Sequence, residues 1–201
     1  AKALFNNGGK VASEVTKELI SSKDILLKLL GIYGAGKLRN LDFLAPIFKE
    51  LPTAITNEAK KAFMWTCLEA IARIGGKDER IKKYLQKELD NFKRKETARG
   101  TISFDKSCPW FPIFPEEVGF INKVFAEKCT LALAAFGDAD AKKEVLKDNI
   151  FKFHPVNHFL YVDVRANLGD EGVNMLKEMV IRPPEQIIKK RRNQSEKISL
   201  S

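Results

Sequence analysis

The sequence predicts an all-α protein: an antiparallel helix-pair solenoid with one non-helical insertion. Three observations predict it. Apolar residues recur at helical spacing over long stretches. Glycine turns divide those stretches into pairs. The turns return after 25 residues (Gly9 to Gly34), 41 (Gly34 to Gly75), 62 (Gly75 to Gly137) and 32 (Gly137 to Gly169).

The clearest pair lies in the middle of the chain. Ile81, Tyr84, Leu85, Leu89 and Phe92 fall at i, i+3, i+4, i+8 and i+11, which makes one apolar stripe on a helix. Arg80, Lys83 and Lys87 fall elsewhere on it. Asp78 stands where a helix N-cap is expected. The stretch before it, AKKAFMWTCLEAIARI from Ala59, is apolar on most sides and reads as a buried helix with Trp65 in the core. Gly75 and Gly76 join the two. Glycine takes left-handed backbone angles at little cost, so the first helix ends and the chain reverses.

The same form recurs along the chain. It is seen in NNGGKVASEVTKELI with Gly8 and Gly9, and in LLKLLGIYGAGKLRNLDFLAPIFKEL with Gly34 and Gly36. It is seen again in LALAAFGDADAKKEVLKDNI with Gly137 and in VRANLGDEGVNMLKEMV with Gly169. The longest interval holds residues 93–116, 24 residues without helical periodicity; without them it shrinks to 38. A period of about 30–45 residues with two helices per unit marks units that bury their apolar faces only by stacking. About four to five units over residues 1–181 are expected, with the insertion after the third and a basic tail at 182–201.

LEAIARIGGKDERIKKYL and LALAAFGDADAKKEVL, with LLGIYGAGKLRNLDFLAPIF as a weaker copy, resemble the HEAT-repeat superfamily. The short, PBS-lyase-like variety is the nearest. The resemblance covers residues 1–180 or so and implies a fold rather than an activity. Bilin lyases that use such repeats work as paired, chaperone-like subunits, which gives one reading: a lyase-like or chaperone-like subunit of an enzyme. HEAT-like hydroxylases carry paired His-Glu metal motifs, and this chain has no His-Glu pair. HEAT-like DNA glycosylases hold a duplex on a basic concave face. The first unit begins at its glycine turn without an initiator Met, so the chain is expected to be part of a longer array or to be covered there by another chain.

Composition narrows the partners. Of 201 residues, 44 % are hydrophobic and 30 % charged, ordinary for a folded protein. No apolar run reaches the roughly 20 residues that span a bilayer. AKALFNNGG lacks the apolar segment of a secretory signal. Cys67, Cys108 and Cys129 are odd in number, widely separated and form no CxxC, which points inside the cell and away from a cysteine metal site. Cys67 and Cys129 lie in apolar stretches and read as buried thiols. The net charge of +9 favours acidic partners: nucleic acid, anionic lipid or an acidic protein face. The plainer reading is a well-solvated surface, since the lysines are spread along the chain.

Candidate chemistry is sparse. His154 and His158 stand four apart in HPVNH, a helical metal-ligand spacing, but Pro155 intervenes and no acidic ligand follows in register before Asp163. They read as ordinary loop histidines. GIYGAGK is similar to a phosphate-binding loop, but Leu38 follows Lys37 where Ser or Thr is required, so a glycine-rich connection between helices is expected. No G-x-S-x-G motif is present. No catalytic residue, cofactor or metal is expected.

Two segments suggest partner contacts. CPWFPIFP places Trp110, Phe111, Ile113 and Phe114 among three prolines, which forbid a regular helix. Those side chains either fold back on the domain or dock on a partner. The tail carries Lys189, Lys190, Arg191 and Arg192, a cluster that suits an acidic surface or nuclear import in a nucleated cell. The expectation is a non-enzymatic scaffold or adaptor that binds another protein within a larger complex, in the cytoplasm or nucleus. Trp110, Phe111, Phe114 and the tail are its named contacts. The alternative is a nucleic-acid-binding module using Lys82, Lys83, Lys87, Lys93, Arg94 and Lys95.

Overall fold

The computed structural model describes residues 5, 8–52, 58–95, 101–102, 116–147 and 152–181. Their order is α1 (Gly9–Ile20), α2 (Ile25–Leu38), a 3-10 turn (Leu41–Phe43), α3 (Leu44–Glu50), α4 (Glu58–Ile74) and α5 (Glu79–Lys95). Then come β1 (Thr101–Ile102), β2 (Glu116–Glu117), α6 (Val118–Ala135), α7 (Ala139–Leu146), a second 3-10 turn (Pro155–Asn157), α8 (His158–Ala166) and α9 (Asp170–Ile181). Among the described residues the regular structure is helical but for a short antiparallel ribbon, in which Thr101 pairs with Glu117 and Ile102 with Glu116. No helix among the described residues is long and apolar enough to cross a membrane.

Alternate helices form one packed row. α2 packs on α4, α4 on α6 and α6 on α8, and α8 reaches back to α4. Flanking helices lie against that row: α1 on α2, α3 on α4, α5 and α7 on α6, and α9 on α8. The apolar residues of the row and its flanks form one core from Ile20 to Val164. α4 lies deep in it, with Met64, Trp65, Cys67, Leu68, Ile71 and Ala72 all inside, as its all-round apolar sequence predicts. α5 is the amphipathic partner. Ile81, Leu85, Leu89 and Phe92 are buried, Phe92 stacks on Phe125 of α6, and Tyr84 meets Phe48 of α3 edge-on.

Asp78 accepts the Arg80 backbone N–H and begins α5, as expected of an N-cap. Asp24 and Asp138 do the same for α2 and α7. Gly75 (φ 65°) and Gly137 (φ 76°) take the left-handed angles that end α4 and α6. At Gly137 two hydrogen bonds, from its own N–H to Ala134 and from Asp138 to Leu133, close the helix end.

The second glycine turn is a correction. Gly31, Gly34 and Gly36 lie inside α2, not in a connection between helices. Their missing side chains let other chain segments approach. A Cβ on Gly31 would sit 2.6 Å from the Ile20 backbone nitrogen, and one on Gly36 would sit 2.8 Å from Ala70 Cα. At Gly34 the ring of Phe5 fills the space. Phe5 lies in helical backbone ahead of Gly8, so a helical residue does precede the first glycine turn. The reversal after α2 occurs instead at Arg39, with φ 54° and ψ 31°.

The insertion is a second correction. α5 runs through Lys93, Arg94 and Lys95, so the helix extends into residues taken from the sequence as non-helical. Phe92 at its end is buried against α6, and that contact holds the last turn in place.

Candidate functional site

The ends of α2, α4 and α8 carry a partly buried ion network. On α4, Glu69 and Arg73 are one turn apart and pair at 3.0 Å. Glu69 also accepts from the Lys128 ammonium of α6 at 2.6 Å. Lys128 is fully buried, and its ammonium lies 3.8 Å from the centre of the Trp65 ring. Arg73 then reaches α8, donating from Nε to Asp163 at 2.9 Å. The other Asp163 oxygen faces Arg39 at 3.5 Å, and Arg39 donates to Asn167 Oδ1 at 2.7 Å.

The charges are mutually dependent. Burial opposes the charge on Glu69, but Lys128 and Arg73 outweigh it and hold the carboxyl below its usual range. Burial likewise opposes the charge on Arg73, and Glu69 and Asp163 overcome it. Each carboxylate is shared between two cations, so each is a bridge between helices. The set fixes which way α2, α4 and α8 approach one another.

A cavity of about 260 Å³ opens beside this network. It is lined by Arg39 after α2, by Arg73, Gly75 and Gly76 at the end of α4, by Ala135 at the end of α6, and by Asn167 after α8. The C-terminal ends of α2, α4, α6 and α8 meet there. The Gly76 N–H crosses to the Ala135 carbonyl and joins two of those ends.

A second polar cluster ties the α8 entrance to α6. Glu127 accepts from the His154 backbone N–H and from the Asn157 side chain, both at 2.8 Å. Burial pushes the Glu127 carboxyl up, against these hydrogen bonds. Its Oε1 and the Asn157 Oδ1 are buried acceptors without a hydrogen-bond partner.

The residues singled out in the sequence fare differently. His154 Nδ1 accepts from the Val156 N–H and starts the second 3-10 turn. His158 opens α8, with its Nε2 at 2.9 Å from the Phe153 carbonyl. Each ring serves its own backbone segment, as ordinary histidines do. Lys82, Lys83, Lys87, Lys93, Arg94 and Lys95 all lie on α5 but do not form one ridge. At 100° per residue, Lys83, Lys87 and Arg94 share the face opposite the buried stripe. Lys82 and Lys93 point to one side of it and Lys95 to the other, and Lys82 faces Asp138 at 3.7 Å. Trp65, Cys67 and Cys129 are buried, as predicted. Cys108, Trp110, Phe111, Ile113, Phe114, Lys189, Lys190, Arg191 and Arg192 lie outside the described residues.

The ion network itself was not anticipated. Its signal was present: Glu69, Arg73 and Lys128 interrupt apolar helices, where an unpaired charge is too costly to keep. What the sequence lacked was the pairing, because Asp163 and Asn167 come from a helix some 90 or more positions further on. Apolar exposure was missed too. Phe159 is 84 % exposed and Val162 is exposed one turn later on α8, while Ile25, Leu26 and Leu27 form an exposed first turn of α2.

No family model, curated protein or solved structure matches the chain.

Proposed function

We propose that this chain is a HEAT-like helical solenoid and works as a non-enzymatic adaptor that binds another protein. The ordered packing of α2, α4, α6 and α8 supports the solenoid, as do the reversals at Arg39, Gly75, Gly137 and Gly169. The observation that carries the binding role is Phe159. Its ring is 84 % exposed beside Val162, at the i, i+3 spacing that puts both on one helix face. Burying such a phenylalanine on a partner is worth roughly 1.5–3 kcal/mol. The charged network, by contrast, is consumed in internal bonds.

Affinity capture from the native lysate, after nuclease treatment and at high salt, tests this reading. The wild-type chain retains a stoichiometric protein, and Phe159→Asp loses it. Retention unchanged in Phe159→Asp and in Leu26→Asp would remove the apolar surface from the account.

One observation favours a second reading. Lys83, Lys87 and Arg94 line the exposed face of α5, an arrangement suited to a phosphate backbone. Binding through them would weaken steeply with salt, and Lys83→Gln with Lys87→Gln would reduce that slope. Docking through Phe159 depends little on salt.

A further inference from the structure

We propose that the start of α8 is a docking site for an acidic peptide segment bearing a large apolar residue, which seats on Phe159 and Val162 while its carboxylates meet Lys123 and Lys152. The inference rests on the adaptor reading above and adds the chemistry of the partner.

The apolar part is a short face of one helix. Phe159 and Val162 are exposed, and Ala166 carries the same face one turn further. Leu160 and Tyr161 between them are buried, so the helix itself is already anchored in the core. Phe159 gains further burial only from another molecule. Val162 and Ala166 continue its face with aliphatic groups, which pack on an apolar side chain better than they stack on a base.

The surroundings of Phe159 are cationic. The chain folds back just before α8: the Phe153 carbonyl lies 2.9 Å from His158 Nε2, which brings Lys152 beside the first turn of that helix. Lys123 comes from α6. One turn on, Glu127 holds the His154 N–H and the Asn157 side chain, so Lys123 stands near the same turn. Both lysines are exposed. The Lys123 charge is felt there: burial and then Lys123 hold the His154 imidazole below its usual range.

The neighbouring carboxylates do not cancel this charge at the surface. Glu127 turns inward, and its second oxygen is buried. Asp163 is engaged by Arg73 and Arg39. The exposed Asp170 and Glu171 open α9, past the far end of α8 and about 10 Å from Phe159. Charge at the rim of an apolar patch selects partners of opposite sign and turns away those of like sign. An acidic segment fits this surface and a basic one is repelled.

The test pans the full chain against a phage-displayed random peptide library. Enriched peptides are synthesised and titrated by fluorescence anisotropy. Peptides rich in Asp and Glu around a Leu, Phe or Trp are expected. Phe159→Ser, which leaves the charge unchanged, should weaken them by about tenfold or more. Lys123→Gln with Lys152→Gln should weaken them by about tenfold at low salt and by less at high salt. Lys83→Gln should have no effect. All four positions are exposed, so the variants keep the fold. Peptides that need Phe159 but show no acidic bias would overturn the inference and leave the adaptor reading standing. A library without any Phe159-dependent peptide would overturn it too, and the lysate capture then decides the adaptor reading by itself. Phe159-dependent binding of phosphatidylserine vesicles or of oligo(dT) in place of peptides would overturn both.

Discussion

Arg39 donates to the side-chain oxygen of Asn167 at 2.7 Å across 128 positions of sequence. With its longer contact to Asp163, it ties the end of α2 directly to α8. Arg73 meets the same aspartate from α4, so Asp163 gathers two helix ends at once. The approach of α8 to α2 and α4 is thus held by polar contacts as well as by apolar packing.

Removing one partner of this network has a cost that depends on burial. Glu69→Gln leaves Lys128 and Arg73 as poorly compensated buried cations and should destabilise by about 3–5 kcal/mol. Asp163 is more accessible, with a side chain 29 % exposed, so Asp163→Asn should cost less. Urea unfolding of the two variants checks the order. Equal losses would mean that burial does not govern the network.

The glycines of α2 give a packing prediction. Gly36→Ala puts a methyl 2.8 Å from Ala70 Cα, and backbone cannot move aside cheaply. Overpacking of about 1–3 kcal/mol then exceeds the roughly 1 kcal/mol gained in helix propensity. The melting temperature should fall. Gly137→Ala meets nothing within 4 Å, so its loss, about 1–2 kcal/mol, is purely that of a side chain at φ 76°. Ala70→Gly removes the Cβ at 3.1 Å but not the Cα at 2.8 Å, so it should not rescue the first variant.

Two carboxylates should titrate stability in opposite directions. Asp78 is held down to about 2 by the Arg80 side chain and then by the Arg80 backbone N–H. Its contribution is present above the unfolded value near 3.9 and is lost as pH falls from there through about 2. Glu127 is raised by burial. The folded state therefore binds its proton more tightly, and stability falls as pH rises from the unfolded value near 4.3 through the folded one. Glu127→Gln should abolish that fall. It also replaces an unpartnered buried carboxylate oxygen with a neutral amide, so the variant should be the more stable at neutral pH. The stability difference between wild type and variant from pH 4 to pH 8, measured by urea unfolding, checks the sign.

Thiol chemistry offers a check on the core. Cys67 and Cys129 are fully buried, and burial pushes both thiols up, away from the reactive thiolate. Neither should react with a thiol reagent in the native protein, and both should react in denaturant. Peptide mapping of the labelled sites tells them from Cys108.

These contacts explain what the sequence could and could not tell. The α5 stripe, the buried α4 and the caps at Asp78 and Gly137 were legible, because each depends on residues within a few turns. Gly34 and Gly36 misled, because a glycine that serves a close helix crossing looks the same in sequence as one that serves a turn. The run through Lys95 was hidden by a basic, polar tail with no stripe of its own beyond Phe92. The Arg39–Asp163–Arg73 bridge was out of reach, since nothing local to α2 announces a partner on α8. Phe159 was overlooked because its neighbours Leu160 and Tyr161 are buried, and a lone phenylalanine beside them reads as core.

The central claim is that an apolar face of the helical row docks on a protein. A photo-crosslinking amino acid placed at position 159, and in separate chains at 83 and 94, tests it most directly in the native lysate. The account predicts one discrete protein adduct at 159 that persists after nuclease and at high salt, with none at 83 or 94. Adducts to nucleic acid at 83 and 94, with nothing at 159, would contradict it and move the interface to α5.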